Sequence, residues 1–292
     1  MPQSTLLQDL SDALADAVAR AAPGVVGVHS ARARSSGFVW RPGLVVTAEE
    51  ALADEGEISV VLPGGEAVAA TVAGRDPSTD VALLRIGRAD LPPVALNPAP
   101  VRAGALALAV GSREGAPVAA FGAVAFAGGA WRSLRGGEID ARIVLALPLR
   151  RIGEGGLALD ASGRAFGMAV FGPRRRVLAI PAATIERVAG ALATHGRIAR
   201  GYLGLGLQPI RLEGEQGVGA MVMSVDPKGP GAAAGVRQGD VILQWNGEPV
   251  RGIRTLLRTL GPDSLGTTVK LSLRRGGEPA EASLTIGERP EG

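Results

Sequence analysis

The chain has 292 residues, of which 46% are apolar and 20% are charged, so it can bury a sizeable core and is not intrinsically disordered. Its length predicts two or three domains. The net charge of +3 is not concentrated on one element, which argues against a nucleic-acid-binding protein. Cysteine is absent, which excludes disulfides, thiol nucleophiles and thiolate metal sites.

The first residues and the hydropathy pattern bear on location. No apolar stretch approaches the roughly 20 residues of a membrane span. The N-terminal residues carry Asp9, Asp12 and Asp16 and no basic cluster, the opposite of a signal peptide. We therefore expect no membrane span and a cytoplasmic location, or a periplasmic one if a leader was removed.

Residues 1–22 are predicted to contain an amphipathic N-terminal helix. Thr5 and Gln8 have the spacing of a capping box. Apolar side chains recur at spacings of three and four residues, at Leu7, Leu10, Leu14 and Val18. We expect this stripe to dock on its own domain or on a neighbouring subunit.

From residue 24 the chain consists of short apolar segments separated by glycine, proline and aspartate, which predicts a mainly β fold. We expect two small barrels, over about residues 23–95 and 101–182, joined by the proline-rich segment 91–100. The linking helix, assigned to 183–199, is expected to begin at Pro181 and to run to about Thr194, because Gly196 stops it. Residues 200–290 mix strands with two short helices, as a small α+β domain does.

Several segments resemble the HtrA/Deg family, in which a trypsin-fold serine protease domain precedes a PDZ domain. In the first part these are SSGFVW (35–40), PGLVVTAEEAL (42–52) and GRDPSTDVALLRIG (74–87). In the second they are RGYLGLGLQP (200–209) and GPGAAAGVRQGDVILQWNGEPV (229–250). The resemblance covers nearly the whole chain from residue 24. It implies a trypsin-like double β-barrel over 23–182 and a PDZ-like α+β domain over 200–290.

Position by position, the resemblance places acidic residues at two of the three catalytic positions. The family reads Thr-Asn-X-His where this chain ends in Glu50, and its orienting aspartate corresponds to Asp80. The family's Gly-Asn-Ser corresponds to Ile152, Gly153 and Glu154. Glu154 thus stands at the position of the nucleophilic serine, and Ile152 replaces the glycine that helps to build the oxyanion hole.

The trypsin mechanism needs a base that accepts the serine proton and returns it to the leaving amine. His29 lies in the first predicted strand and His195 at a helix end, where structural roles account for both. No lysine precedes Lys228, so a Ser–Lys dyad is excluded. We therefore expect a pseudoprotease with no functional catalytic residue and no cofactor.

Three close carboxylates at Glu50, Asp80 and Glu154 need compensation. They could bind Mg²⁺, Ca²⁺ or Mn²⁺ through oxygen ligands, although we predict no metal site. They could share a proton, face solvent, or be neutralised by Arg150 and Arg151. A carboxylate pair could also catalyse hydrolysis, which leaves an unconventional endopeptidase as an alternative function.

The PDZ-like part keeps the features that bind peptides. PDZ domains hold a peptide's terminal carboxylate on N–H groups of a glycine-containing loop, while the peptide adds a strand to a sheet edge. The predicted loop consists of Tyr202, Leu203, Gly204 and Leu205, and the facing helix would supply Ile253, Leu256 and Leu257. The alternative is that these residues form ordinary core.

The leading interpretation is a non-catalytic HtrA-like protein that binds peptide or protein C-termini as an adaptor, regulator or chaperone-like binder. The alternatives are the endopeptidase and a divalent-cation-binding scaffold. The family resemblance further implies a homo-oligomer, a trimer in the usual case, or co-assembly with an active paralogue.

Overall fold

The structure is a computed structural model that describes residues 5–199, 201–212, 217–261 and 264–288. It divides into two compact units. The first comprises Met1–Ser133 with Glu138–Ile198, and the second comprises Leu134–Gly137 with Ala199–Gly292. The predicted N-terminal segment and PDZ-like region include residues 1–4, 200, 213–216, 262–263 and 289–290, which lie outside the described residues.

Six antiparallel strands close the first barrel in the order β1-β2-β3-β6-β5-β4. The strands are β1 (Val25–His29), β2 (Arg34–Arg41), β3 (Leu44–Thr47), β4 (Ile58–Val61), β5 (Ala67–Asp76) and β6 (Val81–Ile86). Branched apolar side chains, which favour strands, fill its interior. They include Val26, Val28, Val39, Val45, Val60 and Leu84, all fully buried.

The second barrel closes in the order β11-β14-β13-β12-β7-β8. Its strands are β7 (Leu106–Arg113), β8 (Ala116–Gly128), β11 (Arg142–Ala146), β12 (Leu157–Asp160), β13 (Ala165–Phe171) and β14 (Val177–Pro181). A two-stranded hairpin of β9 (Trp131–Arg132) and β10 (Glu138–Ile139) precedes β11. The buried core of the second barrel includes Val124, Ile143, Leu145 and Phe166.

A third apolar cluster joins the two barrels, because Phe38 and Leu83 of the first pack with Leu157 and Met168 of the second. The helix α2 (Ala182–His195) packs Ile185 into the same cluster. It begins after Pro181 and ends at Gly196, whose φ of 71° is the left-handed conformation of a C-terminal cap. The sequence predicts a helix between these same two residues, and its role as a link between domains stays a prediction.

The N-terminal helix α1 (Leu6–Ala21) divides into a docked half and an exposed half. Thr5 accepts a hydrogen bond from the Gln8 N–H, as the predicted cap requires. Ala17 is fully buried, whereas Leu6 and Leu7 are 87% and 77% exposed. Among the described residues no helix is long and apolar enough to cross a membrane.

The second unit is built on a sheet in the order β16-β17-β18-β20-β21, with β19 paired to β18. Its elements are β15 (Gly201–Tyr202), β16 (Leu205–Arg211), β17 (Val218–Val225), α3 (Pro230–Ala233), β18 (Val241–Trp245), β19 (Glu248–Pro249), α4 (Ile253–Arg258), β20 (Thr268–Arg275), β21 (Glu278–Thr285) and β22 (Gly287–Glu288). Val222, Ile242, Leu271 and Leu284 form its core. The mainly β architecture of two barrels and a smaller domain confirms the predicted fold class.

Candidate functional site

A tight turn between β5 and β6 positions Asp80. The buried Asp76 side chain accepts hydrogen bonds from the N–H and hydroxyl of Ser78 and from the Thr79 hydroxyl. This turn holds Asp80 at a φ of 58°, a left-handed conformation that aspartate tolerates better than most residues.

The carboxylate of Asp80 is held on one side only. Its Oδ1 accepts a hydrogen bond of 2.8 Å from the Glu50 N–H, and its carbonyl oxygen accepts a longer one of 3.4 Å from the Glu49 N–H. Its Oδ2 is buried and has no hydrogen-bond partner among the described residues. A buried carboxylate oxygen without a donor favours the protonated form.

The pKa of Asp80 is accordingly raised to about 8. Burial is the main cause, and the negative charges of Glu50, Glu154 and Glu49 act in the same direction. The hydrogen bond from the Glu50 N–H lowers the pKa but does not offset burial. At neutral pH this carboxyl group therefore mostly carries its proton.

The segment 152–156 is fixed between three strands. Glu154 accepts a 2.8 Å hydrogen bond on its carbonyl from the Ser36 N–H, and the Ser36 hydroxyl donates to the carbonyl of Ile152. Gly155 has a φ of 81°, and a Cβ there would lie 2.3 Å from the Ser36 carbonyl oxygen. Glycine is thus required at this position on two grounds.

Glu154 is buried within this segment and is 4% exposed. Burial raises its pKa, and the nearby negative charge of Glu50 adds to the rise. The positive charges of Arg151 and Arg175 and a hydrogen bond from the Phe171 backbone oppose it. Of the two predicted neutralising arginines, Arg151 therefore acts on this carboxylate.

Two N–H groups of this segment, those of Gly153 and Glu154, are engaged within the local 3-10 turn. Gly153 donates to the carbonyl of Arg150 at 2.9 Å, and Glu154 donates to that of Arg151 at 3.0 Å. An oxyanion-binding site needs N–H groups that point at the developing charge. This segment would have to break these bonds before it could offer them.

Glu50, Asp80 and Glu154 therefore lie close enough for the charges of Glu50 and Glu154 to raise the pKa of Asp80, and Glu50 itself is exposed. It adds Glu49, which the sequence interpretation missed. Glu49 is nearly buried and pairs with Arg75 at 3.6 Å. In the sequence, only its position next to Glu50 pointed to Glu49, because its partner Arg75 lies on β5 and is distant along the chain.

The candidate metal ligands and the two histidines can be located among the described residues. Within the described ranges no group of three or more His, Asp or Glu side chains is arranged to hold a metal ion. His29 is half-buried in β1, where burial and the charge of Arg34 lower its pKa. His195 is exposed at the end of α2.

A second candidate site lies in the smaller unit, at the loop before β16. Gly204 has a φ of 68°, and a Cβ there would lie 2.9 Å from the Cα of Gly229. The Gly204 carbonyl accepts a 2.8 Å hydrogen bond from the Asp226 N–H, and the Tyr202 hydroxyl donates to the Asp226 carboxylate at 3.0 Å. The loop is therefore held in place by contacts with one neighbouring turn.

The predicted pocket residues divide between core and surface. Leu203 of the predicted loop and Leu256 of the predicted pocket are 3% and 5% exposed and pack in the core, the alternative that the sequence leaves open. Their place in a peptide-binding site stays a prediction. Ile253 and Leu257 are four residues apart and share one face of α4, where Leu257 is 50% exposed. Leu205, at the start of β16, is partly buried against the same core.

Comparison with known proteins identifies both units. Residues 35–168 match the trypsin-like peptidase domain family, and residues 201–286 match the PDZ domain family. A probable periplasmic serine endoprotease DegP-like of Bartonella henselae is 30% identical over 271 residues, covering 87% of this chain and 53% of the relative. A protein of the same name in Brucella suis is 31% identical, with coverage of 88% and 53%. The chain spans about half the length of these relatives.

Solved structures of similar fold lead to the same kind of relatives. The serine endoprotease from Yersinia pestis superposes with a TM-score of 0.71 at 27% identity, covering 99% of this chain and 100% of that one. The HtrA-type protease AlgW with tripeptide gives a TM-score of 0.67 at 26% identity, covering 95% and 98%.

These relatives correct two predictions. The prediction that the chain is a pseudoprotease and not an enzyme is contradicted, because relatives at about 30% identity are named as serine endoproteases. The cytoplasmic location is not supported either, since the same relatives are named as periplasmic. The assignment of Glu50, Asp80 and Glu154 to the three triad positions stays a prediction.

The two barrels, the domain that follows them and the matched relatives lead to one assignment. The chain belongs to the HtrA family, whose members combine a trypsin-like peptidase domain with a PDZ domain.

Proposed function

We propose that this chain binds the C-termini of polypeptides through its PDZ domain. The observation that carries the proposal is the edge of β16, which pairs along one side with β17 and has no strand on its other side among the described residues. An edge strand offers backbone N–H and C=O groups to an added strand. The helix α4 is in contact with β16.

The loop before β16 supports the same proposal. Gly204 keeps the backbone in a conformation that side-chain-bearing residues rarely adopt, so successive N–H groups can turn towards one point. Ile253 and Leu257 supply an apolar face on α4, the helix in contact with β16. Together these features suit a peptide that ends in an apolar residue and a free carboxylate. AlgW, a relative of known structure, was solved with a tripeptide.

Fluorescence anisotropy with labelled peptides that end in valine or leucine tests this proposal. We expect saturable binding of the free acid and at least about tenfold weaker binding of the amidated peptide, because the amide removes the charge that the loop holds. Equal binding of the acid and the amide would exclude this mode of recognition.

The substitution Leu257→Ala should weaken binding, because Leu257 is a half-exposed side chain on the α4 face. Met223→Ala is the matched control, since Met223 is a 45% exposed apolar side chain on β17 of the same unit. An equal effect of the two substitutions would show that the apolar face of α4 is not the binding surface.

As a second candidate function, we propose peptide hydrolysis by the carboxylates of the trypsin-like domain. The specific observation is the pKa of Asp80 near 8 beside the charges of Glu50 and Glu154. A protonated carboxyl group next to an ionised one can donate a proton to the leaving amine while its partner activates water. The endoprotease names of the relatives are consistent with hydrolysis of polypeptides.

Turnover of casein, followed by release of new amino termini, tests this second function. We expect slow turnover that Asp80→Asn and Glu154→Gln each reduce by about a hundredfold or more, as the loss of a general acid or base does. Asp90→Asn, on the surface beside Arg88, is the matched control. Unreduced turnover in both site variants, or none in the wild type, would end the proposal.

We further propose a periplasmic location, following the names of the relatives.

We also propose self-association through α1. The exposed half of α1 carries Leu6, Leu7 and Leu10, which are 87%, 77% and 40% exposed. Apolar side chains grouped on one exposed helix are typical of protein–protein contacts.

A further inference from the structure

Four exposed arginines stand on the two loops that meet at Glu154. Arg151 begins the 3-10 turn before it, and Arg174, Arg175 and Arg176 lie between β13 and β14. The segment after the 3-10 turn is hydrogen-bonded to β13, because Gly155 donates to the carbonyl of Ala169 at 2.8 Å. The charges of Arg151 and Arg175 both act on the Glu154 carboxylate, which agrees with this closeness of the two loops. We call these four residues the arginine patch.

The positive charge of the patch is not balanced locally. Within the part of the chain that the structure describes, none of the four arginines has a carboxylate oxygen within the 4.0 Å of an ion pair, unlike Arg88, Arg164 and Arg275. Glu154 is the acidic group on which two of them act, and it is buried away from the surface on which they lie. The guanidinium groups therefore present their charge to solvent.

The backbone of the patch is strained. Arg174 and Arg175 have φ angles of 57° and 55°, the left-handed region that side-chain-bearing residues avoid. Two such residues in succession raise the free energy of the fold where glycine would not, and strain of this kind is concentrated at ligand-binding sites and switches. The Arg175 guanidinium lies over the Phe171 ring, 4.8 Å from its centroid, which limits the orientations of the side chain.

We propose that the arginine patch binds an acidic segment of a partner polypeptide, at a site distinct from the PDZ domain. Guanidinium groups bind carboxylates through two parallel hydrogen bonds, so Arg151 and Arg174–Arg176 match a run of aspartate or glutamate. A single-stranded nucleic acid would need aromatic rings for base stacking. Phe171, the aromatic residue at the end of β13, is already covered by Arg175.

Fluorescence anisotropy with a short labelled peptide that contains a run of glutamate tests the proposal. Its C-terminus is amidated, so that the PDZ domain does not bind it as a terminal carboxylate. At low ionic strength we expect saturable binding of this peptide, binding at least about tenfold weaker for its glutamine analogue, and loss of affinity as salt is added.

The double variant Arg174→Gly with Arg175→Gly separates binding from folding. Glycine relieves the backbone strain while it removes two guanidinium groups, so we expect a higher melting temperature together with binding weakened by about tenfold or more. The control, Arg85→Gln with Arg102→Gln, removes the same charge from exposed arginines outside the two loops. It should change the affinity less than about twofold.

Three results would overturn the proposal. The first is equal binding of the glutamate and glutamine peptides, and the second is an equal loss of affinity in both double variants, which would reflect net charge alone. The third is tighter, patch-dependent binding of a single-stranded oligonucleotide. A free-acid peptide with an apolar end reports separately on the PDZ domain, so failure there would leave the acidic-segment site unaffected.

Discussion

Asp80 couples the stability of the trypsin-like domain to pH. Its folded-state pKa of about 8 stands above the ordinary value of 3.8, so between about pH 4 and pH 8 the folded protein holds a proton that the unfolded chain has lost. The free energy of unfolding therefore falls as the pH rises through this window, by at most about 1.4 kcal/mol per pH unit from this group. Asp80→Asn should remove the contribution of Asp80 to this pH dependence of the free energy of unfolding.

The asparagine variant suits this measurement because it keeps the local geometry. Its amide oxygen can accept the Glu50 N–H, and asparagine tolerates the φ of 58° at this position. Urea denaturation at about pH 5, 6, 7 and 8 should show the variant gaining stability over the wild type as the pH rises. Asp90→Asn is the control, because its partner Arg88 lowers the Asp90 pKa to about 2, below the window. Parallel curves for wild type and Asp80→Asn would refute the assignment.

At the scale of elements, the segment 152–156 depends on a glycine that two constraints fix. Gly155→Ala should destabilise the first unit by about 2–4 kcal/mol, since alanine is strained at the left-handed φ and its Cβ meets the Ser36 carbonyl. Gly104 has a φ of 85°, and a Cβ there would have no atom within 4 Å. Gly104→Ala should therefore lower the free energy of unfolding only through the strained φ, without a steric clash. Thermal unfolding of the two variants compares them, and equal losses would contradict the clamped arrangement of this segment.

The α4 helix separates a core leucine from a surface leucine at adjacent positions. Leu256→Ala should destabilise the second unit by about 2–5 kcal/mol, as core truncations do, because its side chain is 5% exposed. Leu257→Ala should leave stability within about 0.5 kcal/mol, because its side chain is 50% exposed. Chemical denaturation of each variant measures this difference. A larger loss for Leu257→Ala would reverse the assigned orientation of α4.

Some features of these elements could be predicted from the sequence, and others could not. Apolar segments with frequent turns predicted the two barrels, and Pro181 and Gly196 predicted the limits of α2, because these signals are local. The orientation of α4 was not predictable, since Leu256 and Leu257 are identical residues and only packing distinguishes them. The pairing of Glu49 with Arg75, and the unpartnered Oδ2 of Asp80, arise from distant strands and left no local pattern.

At the scale of the whole molecule, the exposed half of α1 should set the oligomeric state. Its docked half is held by Ala17, while Leu6, Leu7 and Leu10 are exposed although they continue the same helix. If a second copy covers these three leucines, each burial contributes about 1.5 kcal/mol or more, and their joint replacement by serine should weaken association more than about a hundredfold. Sedimentation velocity over a range of concentrations should then show an oligomer for the wild type and a monomer for the variant.

Phe121→Ser serves as the control for this prediction, since Phe121 is a 46% exposed apolar residue of β8 rather than of α1. It should leave the mass of the assembly unchanged. A monomeric wild type, or an oligomer that survives the triple leucine replacement, would show that this helix does not hold copies of the chain together. Because the leucines are exposed in the single chain, their replacement should not lower its own stability, so loss of assembly can be separated from loss of fold.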